Sequence, residues 1–194
     1  MRYSKLTVPD YKVWDGKKRR YVTKKKYYKD EASILTLLNY VKKVEKDGEG
    51  VAYCGGRNLN PNDTVMSQKL ILKVQKHYKQ ESGRRMYHFI LSFPPKVKDA
   101  YNVYMAGEII AHELFNDSQV LYAVHTDTDN LHIHFVFSSV KKDGRKWNFS
   151  GGKFREFKNK AERLADKLFS DSAKYKVWHC PPAEVESMEE FLAN

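Results

Sequence analysis

The stretch VLYAVHTDTDNLHIHFV, residues 120–136, decides the fold of this chain and carries its most distinctive side chains. Its two ends are rich in β-branched and aromatic residues, which is typical of strands, and the polar residues between them predict a connecting loop. Side chains alternate between the two faces of a strand, so His132 and His134 share one face. If the two strands pair, His125 lies opposite that pair.

Three imidazoles at this spacing indicate a metal site. Neutral imidazole nitrogen binds several divalent cations, and three such ligands leave coordination positions open for water or substrate. A core strand gains nothing from alternating imidazoles, because each needs a hydrogen-bond partner when it is buried. We therefore predict that His125, His132 and His134 bind one divalent metal ion, Mn²⁺ or Mg²⁺ in the first place, with Zn²⁺, Ni²⁺ or Co²⁺ as alternatives.

The chain is strongly basic, with 35 Lys and Arg against 24 Asp and Glu and a formal net charge of +11. A polyanion is the natural partner of such a protein. Much of the excess lies in residues 11–29, where cations alternate with aromatic residues, a mixture that suits single-stranded nucleic acid. The alternative is an ordinary solvated basic face. The cations predicted to contact DNA there are Lys17, Lys18, Arg19, Arg20, Lys24, Lys25 and Lys26.

The organisation of the chain favours one domain with a short extension. The pair Asp15-Gly16 predicts a hairpin turn, so residues 1–29 are expected to form a basic β-hairpin extension and residues 30–194 a single domain. No apolar run is long enough to cross a membrane, and no signal peptide is evident. Cys54 and Cys180 stand in no paired motif, which favours a reducing cytoplasm.

Hydrophobic periodicity predicts helices over residues 34–44, 63–80, 100–115 and 154–169. Asp30 or Ser33 is expected to cap the first helix. Strands are predicted at residues 87–93, 120–124, 131–136 and 176–179, with a hairpin turn at residues 143–144. This order predicts an α+β fold in which helices flank a central antiparallel sheet as an α/β sandwich. The second helix is expected to bury Met66, Leu70, Val74 and Tyr78.

Three motifs stand in a recognisable order along the chain: LLNYV at residues 37–41, YHFILSF at residues 87–93, and His125-x-Asp127-x-x-x-x-His132-x-His134. They resemble the three motifs of the conjugative relaxases of the MOBP class, which belong to the HUH single-strand endonucleases. The similarity spans about residues 30–180. It departs from the class at residue 138, where Ser stands in place of the common Asn.

The resemblance implies a DNA relaxase, with residues 30–194 as its HUH nuclease domain. Such an enzyme nicks single-stranded DNA at a transfer origin, at one site and on one strand, while a plasmid or integrative element is transferred or mobilised. Tyr40, in the first motif, would attack the DNA and form a 5′-phosphotyrosyl intermediate. The further expectations are accessory relaxosome proteins, a coupling protein, a monomeric state and the bacterial cytoplasm.

Tyr40 lies at the edge of the apolar stripe of its helix, where a hydroxyl can emerge into a cleft. Tyr27 and Tyr28 are the reserve candidates for the nucleophile. Asp127 is expected to assist Tyr40 or to orient a histidine, the alternative being a turn residue of its own loop. His88 is expected to be a core or ligand-supporting residue rather than a fourth ligand. The remaining predicted DNA contacts are Ser92, Lys42, Lys43, Lys46 and Arg57.

Two alternatives to the relaxase remain, one with the same histidine pair but another biological role and one without catalysis. A rolling-circle replication initiator or a single-strand transposase also carries the histidine pair, but its nucleophile follows that pair. Here only Tyr175 follows His134, near the predicted end of the last helix, which favours the relaxase. The second alternative is a non-catalytic module that binds single-stranded nucleic acid and uses its histidines structurally; it predicts that metal and Tyr40 are both dispensable.

Overall fold

The computed structural model describes residues 4–15, 17, 20–25, 27–43 and 48–170 of the chain. The helices are α1 (Glu31–Lys42), α2 (Thr64–His77), α3 (Ala100–Leu114) and α4 (Lys153–Ser170). The strands are β1 (Lys5–Thr7), β2 (Asp10–Asp15), β3 (Arg20–Lys25), β4 (Val51–Arg57), β5 (Met86–Ser92), β6 (Ser118–His125) and β7 (His132–Lys141). The predicted strand at residues 176–179 lies outside the described residues.

Five strands form one antiparallel sheet in the order β1-β5-β7-β6-β4, with β7 at its centre. The helices α1 and α2 contribute to one hydrophobic cluster on the sheet, and α3 and α4 contribute to a second one. The predicted α+β fold with an antiparallel central sheet flanked by helices is therefore confirmed. The strand β1 was not predicted, and it extends the sheet beyond β5 through residues 5–7.

Alternation along β7 gives the two faces of the sheet different characters. His132, His134 and Val136 point towards α1 and α2, and we call this side the histidine face. Ile133, Phe135 and Phe137 point towards α3 and α4, and we call this side the aromatic face. The aromatic face holds the larger core, in which Phe135 is only 1% exposed.

The helix starts follow the predicted capping chemistry. The Asp30 carboxylate accepts a hydrogen bond from the Ser33 amide at 2.7 Å, so Asp30 caps α1. The predicted buried face of α2 is wrong at its start, because Met66 is 45% exposed. Ser67 points inward instead and donates to the Asn60 carbonyl, and further along the helix Gln75 is buried too. Polar side chains that satisfy buried main-chain groups therefore set the rotation of this helix.

The basic N-terminal stretch contains the predicted hairpin. Strands β2 and β3 pair antiparallel as a separate two-stranded sheet, from Asp10 opposite Lys25 to Asp15 opposite Arg20. After this hairpin the chain returns to the main sheet, where Tyr28 forms a bridge to Met86 at the start of β5. The division of the chain at residue 30 stays a prediction.

Candidate metal centre and nucleophile

The three predicted ligands meet where β6 ends and β7 begins. His125 lies opposite His132 in the antiparallel register, as predicted, and His134 lies opposite Ala123 on the same face. One nitrogen from each imidazole lies within 4.8 Å of the other two. His125 and His134 are each only 3% exposed, and His132 is half-buried. The sheet register alone therefore gathers three imidazoles at one point.

His125 is fixed by the C-terminal end of α1. Its Nε2 donates to the Val41 carbonyl at 2.6 Å. That carbonyl belongs to the last turn of α1, where carbonyls have no partner within the helix. Since a carbonyl only accepts, Nε2 carries the proton and Nδ1 keeps its lone pair for a ligand. The same bond ties the helix that carries Tyr40 to the histidine cluster.

His132 is oriented by its own loop. Its Nδ1 donates to the Asn130 carbonyl at 3.0 Å, which leaves the Nε2 lone pair free. His134 has a different kind of partner: its Nδ1 lies 2.7 Å from Nε2 of His88, and Nδ1 of His88 lies 3.2 Å from the Tyr28 hydroxyl. All three imidazoles of the cluster therefore have one nitrogen in a hydrogen bond, and in His125 and His132 the carbonyl acceptor leaves the other nitrogen available as a ligand.

The surroundings of His134 and His125 keep these two imidazoles neutral. Burial lowers the pKa of His134 strongly, and the neighbouring histidines lower it further. Burial also lowers the pKa of His125, although its bond to Val41 works in the opposite direction. Neutral imidazoles with fixed tautomers are what a divalent cation requires of nitrogen ligands. The donor set of His125, His132 and His134 therefore fits a metal ion.

Tyr40 stands over this cluster. Its side chain is 53% exposed, whereas Leu37 and Val41 of the same helix are buried, as the predicted stripe requires. The Tyr40 ring approaches the His134 and His88 rings edge-on, with centroid distances of 6.0 and 6.1 Å. The reserve candidate Tyr28 is less suited to attack, because burial raises its pKa to about 12. Tyr40 is therefore the exposed tyrosine of the cluster.

Asp127 adds a carboxylate to one side of the cluster. Its Oδ1 lies 3.9 Å from His125 Nδ1 and 3.9 Å from His132 Nε2, and its Oδ2 pairs with Lys43 Nζ at 2.8 Å. Partial burial raises the pKa of Asp127, but the hydrogen bond and charge of Lys43 outweigh that and lower it overall. A side chain at Gly50 would meet both partners, with its Cβ 2.7 Å from Lys43 Nζ.

The other residues predicted to contact DNA lie at different distances from the histidine cluster. Ser92 lies opposite His132 in the register of β5 and β7, so it flanks the cluster. Arg57 lies at the far end of β4, about 20 Å along the strand from the residue opposite His125. Its guanidinium donates to the Asn116 side chain. Lys42 donates to the Pro61 carbonyl. The DNA contacts of all three stay predictions.

The predicted basic contacts in the N-terminal stretch lie partly outside the described part of the chain. Lys17 is exposed, and Arg20, Lys24 and Lys25 lie on β3. Outside the described residues are Lys18, Arg19, Lys26 and Lys46.

Sequence reasoning missed two supporting contacts. It placed His88 as a core or ligand-supporting residue but did not connect it to Tyr28, which is 60 positions away. It also did not predict the ion pair between Lys43 and Asp127, which are 84 positions apart, and the DNA contact of Lys43 stays a prediction. One local pattern could have placed His88 near the cluster: side chains alternate along β5, so His88 lies on the same face as Ser92, which is the histidine face.

The sequence model of the family "Relaxase: MobA/VirD2-like, nuclease domain" matches residues 39–168, which include Tyr40 and all three histidines of the cluster. Protein TraI of Escherichia coli is 24% identical over 112 residues, which are 57% of this chain. The chain spans only 15% of the length of that relative.

A solved structure described as the molecular basis of vancomycin resistance transfer in Staphylococcus aureus has a similar fold. Its TM-score is 0.54 at 14% sequence identity, and the match covers 84% of this chain and 96% of that one. At this identity the match supports the fold. Within the described residues, every helix is too short or too polar to span a membrane.

Proposed function

The chain belongs to the MobA/VirD2-like relaxase nuclease family, and from that premise we propose that it nicks single-stranded DNA at a transfer origin by tyrosine transesterification. The observation that carries the proposal is the position of one exposed tyrosine over three clustered imidazoles. Tyr40 lies 6.0 Å from His134, ring centre to ring centre, and the last turn of its helix is hydrogen-bonded to His125. A direct hydrogen bond thus joins the helix of the proposed nucleophile to one of the proposed metal ligands.

The order of these residues in the chain supports a relaxase rather than a replication initiator or transposase. Val41 accepts a hydrogen bond from His125, so Tyr40, the residue before Val41, lies beside the cluster on α1, a helix that precedes the histidine strands β6 and β7. The other enzymes of the superfamily need a tyrosine from a helix that follows the histidine pair. Within the described residues, α4 is the helix after that pair, and it packs on the aromatic face and contains no tyrosine.

His125, His132 and His134 would hold the divalent cation. When bound, such a cation supplies Lewis-acid stabilisation of the negative charge that develops on the scissile phosphate. Mn²⁺ or Mg²⁺ is the ion we propose. The histidines contribute by gathering one nitrogen each at a single point, and each ring is held there by a hydrogen bond through its other nitrogen.

Tyr40 performs the covalent step. Its hydroxyl oxygen attacks phosphorus, the bond from phosphorus to the 3′ oxygen breaks, and the products are a 5′-phosphotyrosyl ester and a free 3′-hydroxyl. The phenolic proton is lost to solvent from the exposed side of the ring, and the departing 3′ oxygen takes up a proton. The ester keeps the energy of the phosphodiester bond, so the strand can be rejoined by the reverse reaction.

Asp127 is assigned to the charge balance of the cluster rather than to proton removal from Tyr40. Its carboxylate oxygen is equidistant from His125 and His132, at 3.9 Å, and Lys43 keeps it ionised. A negative charge there favours a cation between the imidazoles. Ser92 flanks His132 across the sheet and is proposed to contact the DNA backbone next to the cluster.

The basic hairpin of β2 and β3 is proposed to hold the rest of the DNA strand through phosphate contacts. Accessory relaxosome proteins, a coupling protein, a monomeric state and a site of action in the bacterial cytoplasm complete the proposal. The partners, the monomeric state and the cytoplasmic site are proposed from family membership, whereas the role of the hairpin is proposed from its basic charge.

The test uses overlapping labelled single-stranded oligonucleotides that cover the transfer origin of the element encoding this protein. Wild type and Tyr40→Phe are incubated with each, in Mn²⁺ or in EDTA, and denaturing gels are read for nicking and for a covalent adduct on the 5′ phosphate. We expect wild type to form the adduct in Mn²⁺ alone and Tyr40→Phe to form none.

Tyr101→Phe is the matched control, because Tyr101 is a similarly exposed helical tyrosine at 43% but lies on α3. It should nick like wild type. An adduct with Tyr40→Phe would show that another tyrosine is the nucleophile. Binding of the oligonucleotides in Mn²⁺ and in EDTA alike, without nicking in either, would instead support the non-catalytic module.

A further inference from the structure

His134 differs from the other two histidines of the cluster in what fixes its tautomer. His125 and His132 each donate to a main-chain carbonyl, which can only accept, so their free nitrogens are determined. The partner of His134 is Nε2 of His88 at 2.7 Å, and an imidazole nitrogen can either donate or accept. The direction of this one bond therefore decides whether His134 offers a lone pair to a metal.

Proton counting links that direction to Tyr28. If His134 Nε2 is a ligand, the neutral ring carries its proton on Nδ1 and donates to His88 Nε2. Neutral His88 then carries its own proton on Nδ1, and it donates to the Tyr28 hydroxyl oxygen at 3.2 Å. In the opposite direction the hydroxyl donates to His88, His88 donates to His134, and the proton on His134 Nε2 blocks the metal.

The three groups are held in place independently of the metal. His88 is 3% exposed on β5, on the same face as His134 of the neighbouring strand β7. Tyr28 is anchored to the edge of β5, where its carbonyl accepts from the Arg85 amide at 2.8 Å. Its half-buried hydroxyl closes the chain of hydrogen bonds beside Tyr40.

We propose that His88 and Tyr28 are positioning residues for the metal, because they hold His134 in the tautomer whose Nε2 lone pair is free. This inference rests on the proposed metal-dependent function. His88 accepts the His134 Nδ1 proton, and Tyr28 accepts the His88 Nδ1 proton. The segment between the basic hairpin and α1 thus contributes to the metal site through residue 28.

A packing role for His88 makes a different prediction. A histidine that only fills space can be replaced by Leu without loss of metal affinity, whereas an acceptor cannot. Removal of a hydrogen-bonding partner behind a metal ligand typically weakens metal affinity by about 10- to 100-fold. In His88→Gln the amide oxygen can still accept from His134, so this variant should restore most of the affinity lost in His88→Leu.

The test measures metal affinity without DNA, by calorimetric titration of the full chain with Mn²⁺. We expect His88→Leu to bind about 10- to 100-fold more weakly than wild type, with His88→Gln in between. Tyr28→Phe should lose about 2- to 10-fold, the effect of one hydrogen bond. Tyr87→Phe is the control. Tyr87 adjoins His88 in sequence, but its hydroxyl donates to the Trp147 carbonyl, so the Mn²⁺ affinity of this variant should equal that of wild type.

A spectroscopic measurement on wild type avoids any dependence on a variant that fails to fold. With Zn²⁺ as a diamagnetic probe, long-range ¹H–¹⁵N spectra should show both His88 and His134 protonated on Nδ1. Protonation of His88 on Nε2 in the loaded protein would overturn the inference, as would wild-type affinity in a folded His88→Leu.

The outcomes distinguish this inference from the proposed function. If wild type binds neither Mn²⁺ nor Zn²⁺, both are wrong. If wild type and His88→Leu bind equally well and His134→Ala does not bind, the metal site stands and only the role of His88 is wrong. Failure of Tyr40→Phe to abolish nicking leaves the inference unaffected, because the titration contains no DNA.

Discussion

The two faces of the central sheet use the same strands for different purposes. On β7, His134 points to the histidine face and its neighbour Phe135 to the aromatic face, and both are nearly fully buried. The aromatic face is held by non-directional packing, as in the stacked pair Tyr87 and Phe137 with ring centres 5.3 Å apart. The histidine face is held near the cluster by directional hydrogen bonds. Alternation along a strand thus separates stability from chemistry at the level of single residues.

The largest effects should come from replacing His134 or Phe135 by Ala, one at a time. His134→Ala removes a ligand, so adduct formation should fall by at least about 100-fold, and added Mn²⁺ should no longer raise the melting temperature. Phe135→Ala should instead lower the free energy of unfolding by about 3–5 kcal/mol, because it leaves a cavity among α3, β6 and β7. Chemical denaturation and the gel assay measure the two quantities separately.

The separation of the two faces would be contradicted if either variant showed the effect expected of the other. A His134→Ala protein that still gains stability from Mn²⁺ would contradict the ligand assignment. A Phe135→Ala protein that is folded and has lost metal affinity would show that the aromatic face also positions the cluster. Ile133→Val, on the aromatic face beside His134, is a milder control and should cost about 0.5–1.5 kcal/mol of stability.

Acid should destabilise the histidine face of the metal-free protein. Burial lowers the pKa of both His134 and His125 in the folded state from the ordinary value of 6.5. Below pH 6.5 these histidines therefore bind protons in the unfolded chain but stay neutral in the folded chain. Stability is therefore complete above pH 6.5 and is lost as the pH falls below it. At pH 5.0 the loss should reach up to about 2 kcal/mol for each histidine. Urea denaturation in EDTA at pH 7.5 and 5.0 measures it.

His134→Leu should lose less stability than wild type over this interval, since one of the two protons is no longer taken up. Equal pH dependence in wild type and His134→Leu would contradict the neutral, buried imidazole.

Local patterns were sufficient to predict the helices, the alternation of β7 and the position of Tyr40. These features depend on residues that are neighbours in the sequence. The rotation of α2 was not predictable, because buried Gln75 bonds to Arg85 and so turns a polar residue inward. The pairing of β1 with β5 depends on contacts about 85 positions apart, and three residues carry too little pattern to reveal it. The gathering of the three histidines at one point was predictable, but the contacts that support them were not.

Replacement by Ala should have different effects at two glycines, because one lies against the aromatic face and the other against the Lys43–Asp127 pair. At Gly55 on β4, a Cβ would lie 2.4 Å from the buried Tyr122 hydroxyl. Gly55→Ala should therefore cost about 1–3 kcal/mol of stability through overpacking and leave metal affinity unchanged. Gly50→Ala should cost about 1–2 kcal/mol, since Gly50 has φ of +77°, and should also displace the Lys43–Asp127 pair.

Denaturation and Mn²⁺ titration of both variants test this difference. A weaker metal affinity is expected in Gly50→Ala alone. The same change in Gly55→Ala would mean that packing on the aromatic face determines the geometry of the cluster.

The smallest effect should come from the ion pair at the edge of the cluster. Lys43→Met removes the ammonium that holds Asp127, whose side chain is 42% exposed, so the free energy of unfolding should change by less than about 1 kcal/mol. The pKa of the Asp127 carboxyl should rise, because the hydrogen bond and charge that lower it are gone. Carboxyl NMR titration in EDTA measures this pKa. Lys141→Met breaks an equally short pair, with Asp117 at 2.8 Å, and should leave Asp127 unchanged. An unchanged Asp127 pKa in Lys43→Met would show that the pair does not control the charge next to the histidines, and Asp127 would then be only a residue of its loop.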